Sequence, residues 1–377
     1  MIKNSHIAMS HIEGNKVPPP ISEIAHDSFI GKREALAVSG IAILLMVFHH
    51  FFGFDDFRNP QNYYIESFNI HGISFERMLA AFGKICVSIF AFLSGYALYK
   101  MADNYRTYPK VLLRLGRFLI DYWIVMALFL LYAVIIGDEL PDIHNFMLNL
   151  AGLATLPVST YVNVAFAWYV AFYILWLLLA PLTVIVAHRL NGIQLLCLLV
   201  AYIAAVNILP LGDYSQILST FISAFVGVIV CKWRIFDRLS AKYADIPCLA
   251  VILVLIAIPI MRQSLILVNP GLISAAEVII TPLFIFFSIL FIRRLDNGMN
   301  KILRYRATLV TDMLCALGMM SMNIWFLHGI FFTGRRPLQD LVYSPHYPVL
   351  IYAFAFLLLI PAARAVALLQ KRIHTLQ

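Results

Sequence analysis

The chain has 377 residues, of which 62% are hydrophobic and only 13% charged, with a formal net charge of +8; its mean hydropathy is +0.84. A soluble globular chain is about half apolar and about a quarter charged, so an ordinary soluble fold is excluded. The apolar excess is gathered into blocks of about 20 residues, the length a helix needs to cross a hydrocarbon core of about 30 Å, and the expected fold class is all-α: a polytopic transmembrane helix bundle.

Residues 1–33 are polar and carry "VPPP". They lack the short apolar core and small-residue cleavage site of a signal peptide, so they read as a loose cytoplasmic tail that Pro18, Pro19 and Pro20 keep extended. One transmembrane domain is expected over 34–370, with 371–377 as a second cytoplasmic tail. Its spans fall near 35–54, 78–99, 115–136, 163–187, 194–210, 215–233, 246–268, 274–292, 311–334 and 347–369. The fifth and sixth are short crossings, separated by "NILPLGDYSQ", where Pro210 and Gly212 stop the helix.

With the N-terminus in the cytoplasm and an even number of spans, most of the 28 Lys and Arg fall in inner segments. The outer loops hold only Arg58, Arg77, Arg262, Arg335 and Arg336, and Lys84 lies within a span. This asymmetry is what the positive-inside rule requires of a chain with both termini cytoplasmic. The positive charge therefore reports topology, and no nucleic-acid partner is expected. Cys86, Cys197, Cys231, Cys248 and Cys315 are scattered through or beside spans without a C-x-x-C pair, as packing residues are, so neither disulfides nor a metal site are expected. There is no internal repeat, Walker loop or nucleotide fingerprint.

Polar residues inside the spans are the functional candidates, because lipid makes them expensive. The first span ends "IAILLMVFHH", and at ~1.5 Å per residue from position 35 its His50 lies about 22 Å across, in the outer half of the bilayer. Lys84 and Glu277 lie early in descending helices and His328 late in an ascending one, so these four and His49 share a depth. Gathered there, they would neutralise one another. Each also has a structural reading. His49 and His50 point ~100° apart, so the two cannot face one pocket equally. Lys84 reaches the outer headgroups, Glu277 pairs with Lys84 or Arg262, and Trp168 and Trp325 belong to the aromatic belt.

Five phrases, "SGIAILLMVFHHFFGF", "GKICVSIFAFLSGYALYK", "KVLLRLGRFLIDYW", "AWYVAFYILWLLLAP" and "SMNIWFLHGIFF", stand in the order found in the acyltransferase-3 family, and the chain after residue 33 resembles that family throughout. The resemblance implies an integral membrane O-acyltransferase of the cell (cytoplasmic) membrane. It would move an acyl group from cytoplasmic acyl-CoA, taken as acetyl-CoA, to a hydroxyl of a surface glycan or its polyprenyl-linked precursor, with no bound cofactor. The family motif sets a basic residue, then ten intervening residues, then its essential histidine. Aligned on Ala42, that histidine is His50, and the basic position holds Ser39.

A sugar hydroxyl needs a general base, and histidine titrates in the right range. The thioester oxygen needs a donor, which Lys84, Trp168 or His328 would supply. "FLSGY" matches the family's Ser-Gly-Phe stretch with Tyr96 for phenylalanine, and Ser94 and Gly95 permit close helix approach or a slot for the pantetheine arm. Arg114 and Arg117, three apart on one helical face, would hold CoA phosphates. The catalytic set is thus His50, His49, Lys84, His328 and Glu277, and the binding set is Arg114, Arg117, Ser94, Gly95, Tyr96, Trp168 and Trp325. The rival reading is a proton-coupled transporter or flippase for a glycan or small acid. The ordered phrases and the lack of paired interrupted segments oppose it.

Overall fold

The computed structural model describes residues 28–54, 64–70, 72–153, 168–209, 212–243, 245–269, 273–303, 308–331 and 337–375. Residues 1–27, Arg58, positions 163–167 of the fourth expected span, Pro210, Arg304, Arg306, Arg335 and Arg336 lie outside this set.

The described chain is an all-α polytopic bundle, apart from a two-residue antiparallel hairpin at Asn69–Ile70 and Ile73–Ser74. The helices are α1 Lys32–Phe52, α2 Phe75–Gly83, α3 Ile85–Lys100, α4 Tyr108–Ile136, α5 Ile143–Leu150, α6 Trp168–Arg189 and α7 Gly192–Ile208. They continue as α8 Ser215–Lys232, α9 Ile235–Lys242, α10 Cys248–Val268, α11 Ile273–Leu303, α12 Leu309–Leu327, α13 Leu338–Tyr343 and α14 Pro348–Thr375. Among the described residues nine helical segments are long and apolar enough to cross a membrane, α2 and α3 counting as one, and α7 is a shorter apolar helix. These match the ten expected spans in order.

Two differences from the sequence expectation, at Lys84 and at Arg262, have physical causes. The second span is broken at Lys84, a turn residue between α2 and α3. Gly83 lies so close to α1 that an added methyl would sit 2.6 Å from the Leu45 carbonyl oxygen. Prolines 181, 259, 282 and 361 lie inside their helices, as the expected spans had them, because in a bundle the neighbouring helices and local adjustments satisfy the freed backbone groups. Arg262, expected in an outer loop, lies inside α10 and is only 3% exposed. An ion pair described below makes that burial tolerable.

The core is built around two helix pairs packed through glycine. On α1 and α12, a methyl on Gly40 would stand 2.1 Å from the Leu314 carbonyl oxygen, and one on Gly318 would stand 2.0 Å from that of Leu36. On α3 and α8, Gly95 and Gly227 play the same part, at 1.8 Å from the Ala224 oxygen and 2.1 Å from the Phe92 oxygen. Backbones approach this closely in membranes because small residues allow it and dispersion rewards it. The peripheral helices expose apolar side chains outward, including Leu131 and Ile135 on α4, Leu196 on α7, Leu253 and Ile256 on α10 and Leu357 on α14. Such a surface suits lipid and would be a liability in water.

α1 is held at its start by Glu34, whose carboxylate accepts from the Gly31 N–H at 3.1 Å and from the Arg293 guanidinium at 2.9 Å. The carboxylate also complements the positive end of the helix dipole. The last turn of α1 delivers His49 and His50 to the far end of the bundle, called here the histidine end.

Candidate functional site

The α1–α12 glycine contact sets two histidines against each other. His50 Nδ1 lies 3.0 Å from His328 Nε2, with ring centroids 4.7 Å apart, and both residues are buried. His328 begins the short 3-10 turn that follows α12, and its Nδ1 faces the Trp325 carbonyl oxygen. A carbonyl only accepts, so neutral His328 carries its proton on Nδ1 and presents Nε2 as an acceptor. His50 Nδ1 must then be the donor, and Nε2 becomes the basic nitrogen of His50. Met46 Sδ, 3.0 Å from His50 Nδ1, is a second, weak acceptor for the same proton. A neighbouring acceptor thus sets which nitrogen of His50 is basic, since the hydrogen bond made by one ring nitrogen fixes the tautomer of the other.

His49 points elsewhere, as a ~100° turn per residue requires. Its Nδ1 donates to the Ala80 carbonyl oxygen at 2.7 Å, and its ring lies 5.0 Å from that of His50. It lines a cavity of about 650 Å³ at the histidine end, together with Lys84, Trp168, Arg262 and Glu277. Asn207, Gln216, Ser219, Thr220 and Ser223, from α7 and α8, supply a polar wall. Arg262 Nε donates to Glu277 Oε1 at 2.8 Å and Arg262 Nη1 to the Ala81 carbonyl oxygen at 2.9 Å. Thr281 donates to Glu277 Oε2 at 2.5 Å, so both carboxylate oxygens are engaged. Of the two partners considered for Glu277, Arg262 makes the ion pair.

A second cavity, of about 470 Å³, opens at the opposite end between α1, α3, α4 and α6. Lys32, Ser39, Ser94, Tyr96, Lys100 and Arg114 lie in its wall. Lys100 Nζ donates to the Ile30 carbonyl oxygen at 2.8 Å and to the Ser28 hydroxyl. The Arg114 guanidinium sits 4.6 Å from the Tyr105 ring centre and also donates to the Tyr105 hydroxyl. A smaller cavity of about 170 Å³ shares Phe90, Ser94, Tyr173 and Ser321 with this one and reaches Trp325. Trp325 packs edge-to-face with Phe90 at 5.5 Å and tilted against Tyr169 at 4.9 Å. Its indole N–H is buried and has no hydrogen-bond partner among the described residues. A buried donor of this kind calls for an explanation, and an incoming acceptor supplies one.

The candidates from sequence therefore divide. His49, Lys84, Trp168 and Glu277 share the polar cavity, while His50 and His328 form a pair beside it. Ser94, Tyr96 and Arg114 line the opposite cavity, and Trp325 caps its extension. Gly95 sits in the α3–α8 contact and Arg117 is exposed, away from both cavity walls. Sequence reasoning missed Arg262 as a site residue, although an arginine inside an apolar block is itself the signal. It also passed over Lys100 and Tyr105, whose meeting with Lys32 and Arg114 at one cavity depends on tertiary packing.

Helical segments long and apolar enough to cross a membrane, enclosing a buried histidine pair and two cavities, define a multi-pass membrane helix bundle. The family model described as "acyltransferase domain", acyltransferase-3, matches residues 38–368, and the chain belongs to that family. It is a membrane acyltransferase. No curated protein and no solved structure matches the chain.

Proposed function

We propose that the protein is an O-acyltransferase of the cell membrane with both termini cytoplasmic. It would carry acetyl groups from cytoplasmic acetyl-CoA to a hydroxyl of a surface glycan or its lipid-linked precursor. In this reading the histidine end faces outward, its polar cavity receives the acceptor, and acetyl-CoA enters from the opposite end without any bound cofactor. The observation that carries the reading is the His50–His328 pair. One of its neighbours, His49, lines the acceptor cavity, and the other, Trp325, lines the extension of the opposite cavity.

His50 Nε2 takes the proton of the acceptor hydroxyl as its oxygen attacks the thioester carbon. The carbon–sulfur bond then breaks, CoA leaves as thiolate, and the imidazolium returns the proton to sulfur. His328 holds the tautomer that makes Nε2 basic and is a positioning residue. The Trp325 N–H is placed to donate to a carbonyl oxygen of the arriving pantetheine arm or thioester. Lys32, Lys100 and Arg114 surround the cavity that Ser39 lines, and supply for CoA phosphates the charge that Ser39 lacks.

Mass spectrometry of surface glycans from cells with and without the gene tests this. An acetyl-sized mass difference, absent in cells carrying His50→Ala, is expected. Identical glycans, together with no CoA release from acetyl-CoA by the purified protein, would overturn it in favour of a carrier.

A further inference from the structure

Among the described residues, the polar cavity at the histidine end holds one cation more than its ion pair uses. Arg262 and Glu277 neutralise each other at 2.8 Å, and Thr281 and the Ala81 carbonyl engage their remaining groups. Lys84 faces the same cavity, yet among the described residues its ammonium group forms no hydrogen bond and no ion pair. It stands at the break between α2 and α3, so the first turn of α3 also faces the cavity, through Val87 and Ser88. That turn adds the partial positive charge of a helix N-terminus. Lys84 is exposed to this cavity, and a cation set within a transmembrane bundle faces its interior because a pathway or a ligand requires it.

We infer that the acceptor, on the acyltransferase reading given above, carries an anionic group, a carboxylate or a phosphate, that pairs with Lys84. The remaining wall suits a polyol. Asn207 and Gln216 bear amides that match sugar hydroxyls, and Trp168 offers an aromatic face at the same cavity. The chemical class is therefore an acidic glycan, with a uronic acid or a polyol phosphate as its charged unit. Arg262 is not the anion's partner, because Glu277 already holds it.

Binding tests this without requiring turnover. The full-length protein is purified in a polyoxyethylene detergent, which contains no sugar to compete. It is titrated with glucuronate, glycerol 1-phosphate and glucose, read by tryptophan fluorescence and thermal unfolding. The charged probes are expected to bind roughly two- to fivefold more tightly than glucose, the effect of one partly exposed ion pair, with the preference falling as salt rises. Lys84→Gln should abolish the preference and Lys84→Arg should keep it. Preference for glucuronate alone assigns a carboxylate, and for glycerol phosphate alone a phosphate. Equal binding of all three, no binding of any, or a preference that survives Lys84→Gln would overturn the inference. So would a Lys84→Gln variant that keeps the preference for anions while turnover collapses, which would assign Lys84 to the thioester oxygen. If glycans show no acetylation but the charged probes bind through Lys84, the glycan O-acetylation reading fails and the anion site stands.

Discussion

The two large cavities hold their cations in different ways. At the histidine end, Arg262 meets Glu277 inside the span, and the two charges cancel within one buried pair. At the opposite end, Lys100 is held by the Ile30 carbonyl and Arg114 by the face and hydroxyl of Tyr105. Carbonyls and aromatic rings orient a cation without removing its charge. A cation held by dipoles stays available to an anionic ligand, whereas one held by a carboxylate serves the fold. By that distinction Arg262 belongs to the fold, while on the function proposed above Lys100 and Arg114 belong to binding. Lys84 belongs with them, although it lies at the other end.

The largest effect that would break this division concerns the residue between the cavities. His50→Ala is expected to lower acetyl transfer per folded molecule by ~10²–10⁴-fold, the usual worth of a general base. His49→Ala should lose less, because its ring is tied to Ala80 and lines the wall. His328→Ala should fall between the two and shift the pH profile, since His50 then lacks the acceptor that fixes its tautomer. The measurement is CoA release normalised to protein that elutes as a single folded species. Full activity in His50→Ala, or equal losses at positions 49 and 50 that follow yield alone, would make the pair a packing feature.

The structural role of Arg262 predicts a stability effect of comparable size. Arg262→Met leaves Glu277 charged, buried and without its ion-pair partner, at a cost of about 3–5 kcal/mol. The double variant Arg262→Met/Glu277→Gln removes both charges and should recover most of that loss in thermal unfolding. Additive losses would show that the two residues do not act as a pair, and would return Arg262 to the pool of ligand-binding cations.

The α1–α12 contact links packing to the histidine pair. Gly318→Val puts a side chain where a methyl already lies 2.0 Å from the Leu36 oxygen, so the helices must separate. Overpacking of this kind typically costs about 1–3 kcal/mol. Activity should fall further than stability, because His50 and His328 ride on the separating helices. The same change at Gly227, in the α3–α8 contact, should cost similar stability with a smaller loss of transfer. Thermal unfolding and CoA release, compared for the two variants, separate the roles of the two contacts.

Much of the bundle is legible in the sequence because lipid imposes length and polarity on every crossing segment. Span order and the depth shared by His49, His50, Lys84, Glu277 and His328 follow from counting residues along helices. Pairing is not legible in this way. That Glu277 meets Arg262 rather than Lys84, or that His50 meets His328 while His49 turns to Ala80, depends on rotation and helix approach. Those depend in turn on Gly40 and Gly318 meeting across α1 and α12, a contact between residues 278 positions apart that no local pattern reports. The break at Lys84 was hidden for the same reason: "FGKICVSIF" reads as continuous apolar helix, and only the approach of Gly83 to Leu45 on α1 gives the break its place.

The smallest expected effect separates two arginines that sequence treats alike. Arg114 and Arg117 lie three apart on α4, and both were expected to hold CoA phosphates. In the structure Arg114 lines the opposite cavity against Tyr105, while Arg117 is exposed and outside its wall. A contact remote from the reacting carbon strengthens substrate and transition state alike, so its loss raises KM and leaves kcat nearly unchanged. Arg114→Gln is therefore expected to raise the KM for acetyl-CoA by roughly three- to tenfold, the range of a partly exposed charged contact. Arg117→Gln should change it little. Dephospho-CoA thioesters sharpen the test: if Arg114 meets the ribose phosphate, the variant's defect should shrink when that phosphate is absent from the donor. Equal defects at both positions would mean that the basic stretch acts as a diffuse positive surface, and that orientation across the membrane is sufficient reason for its charge.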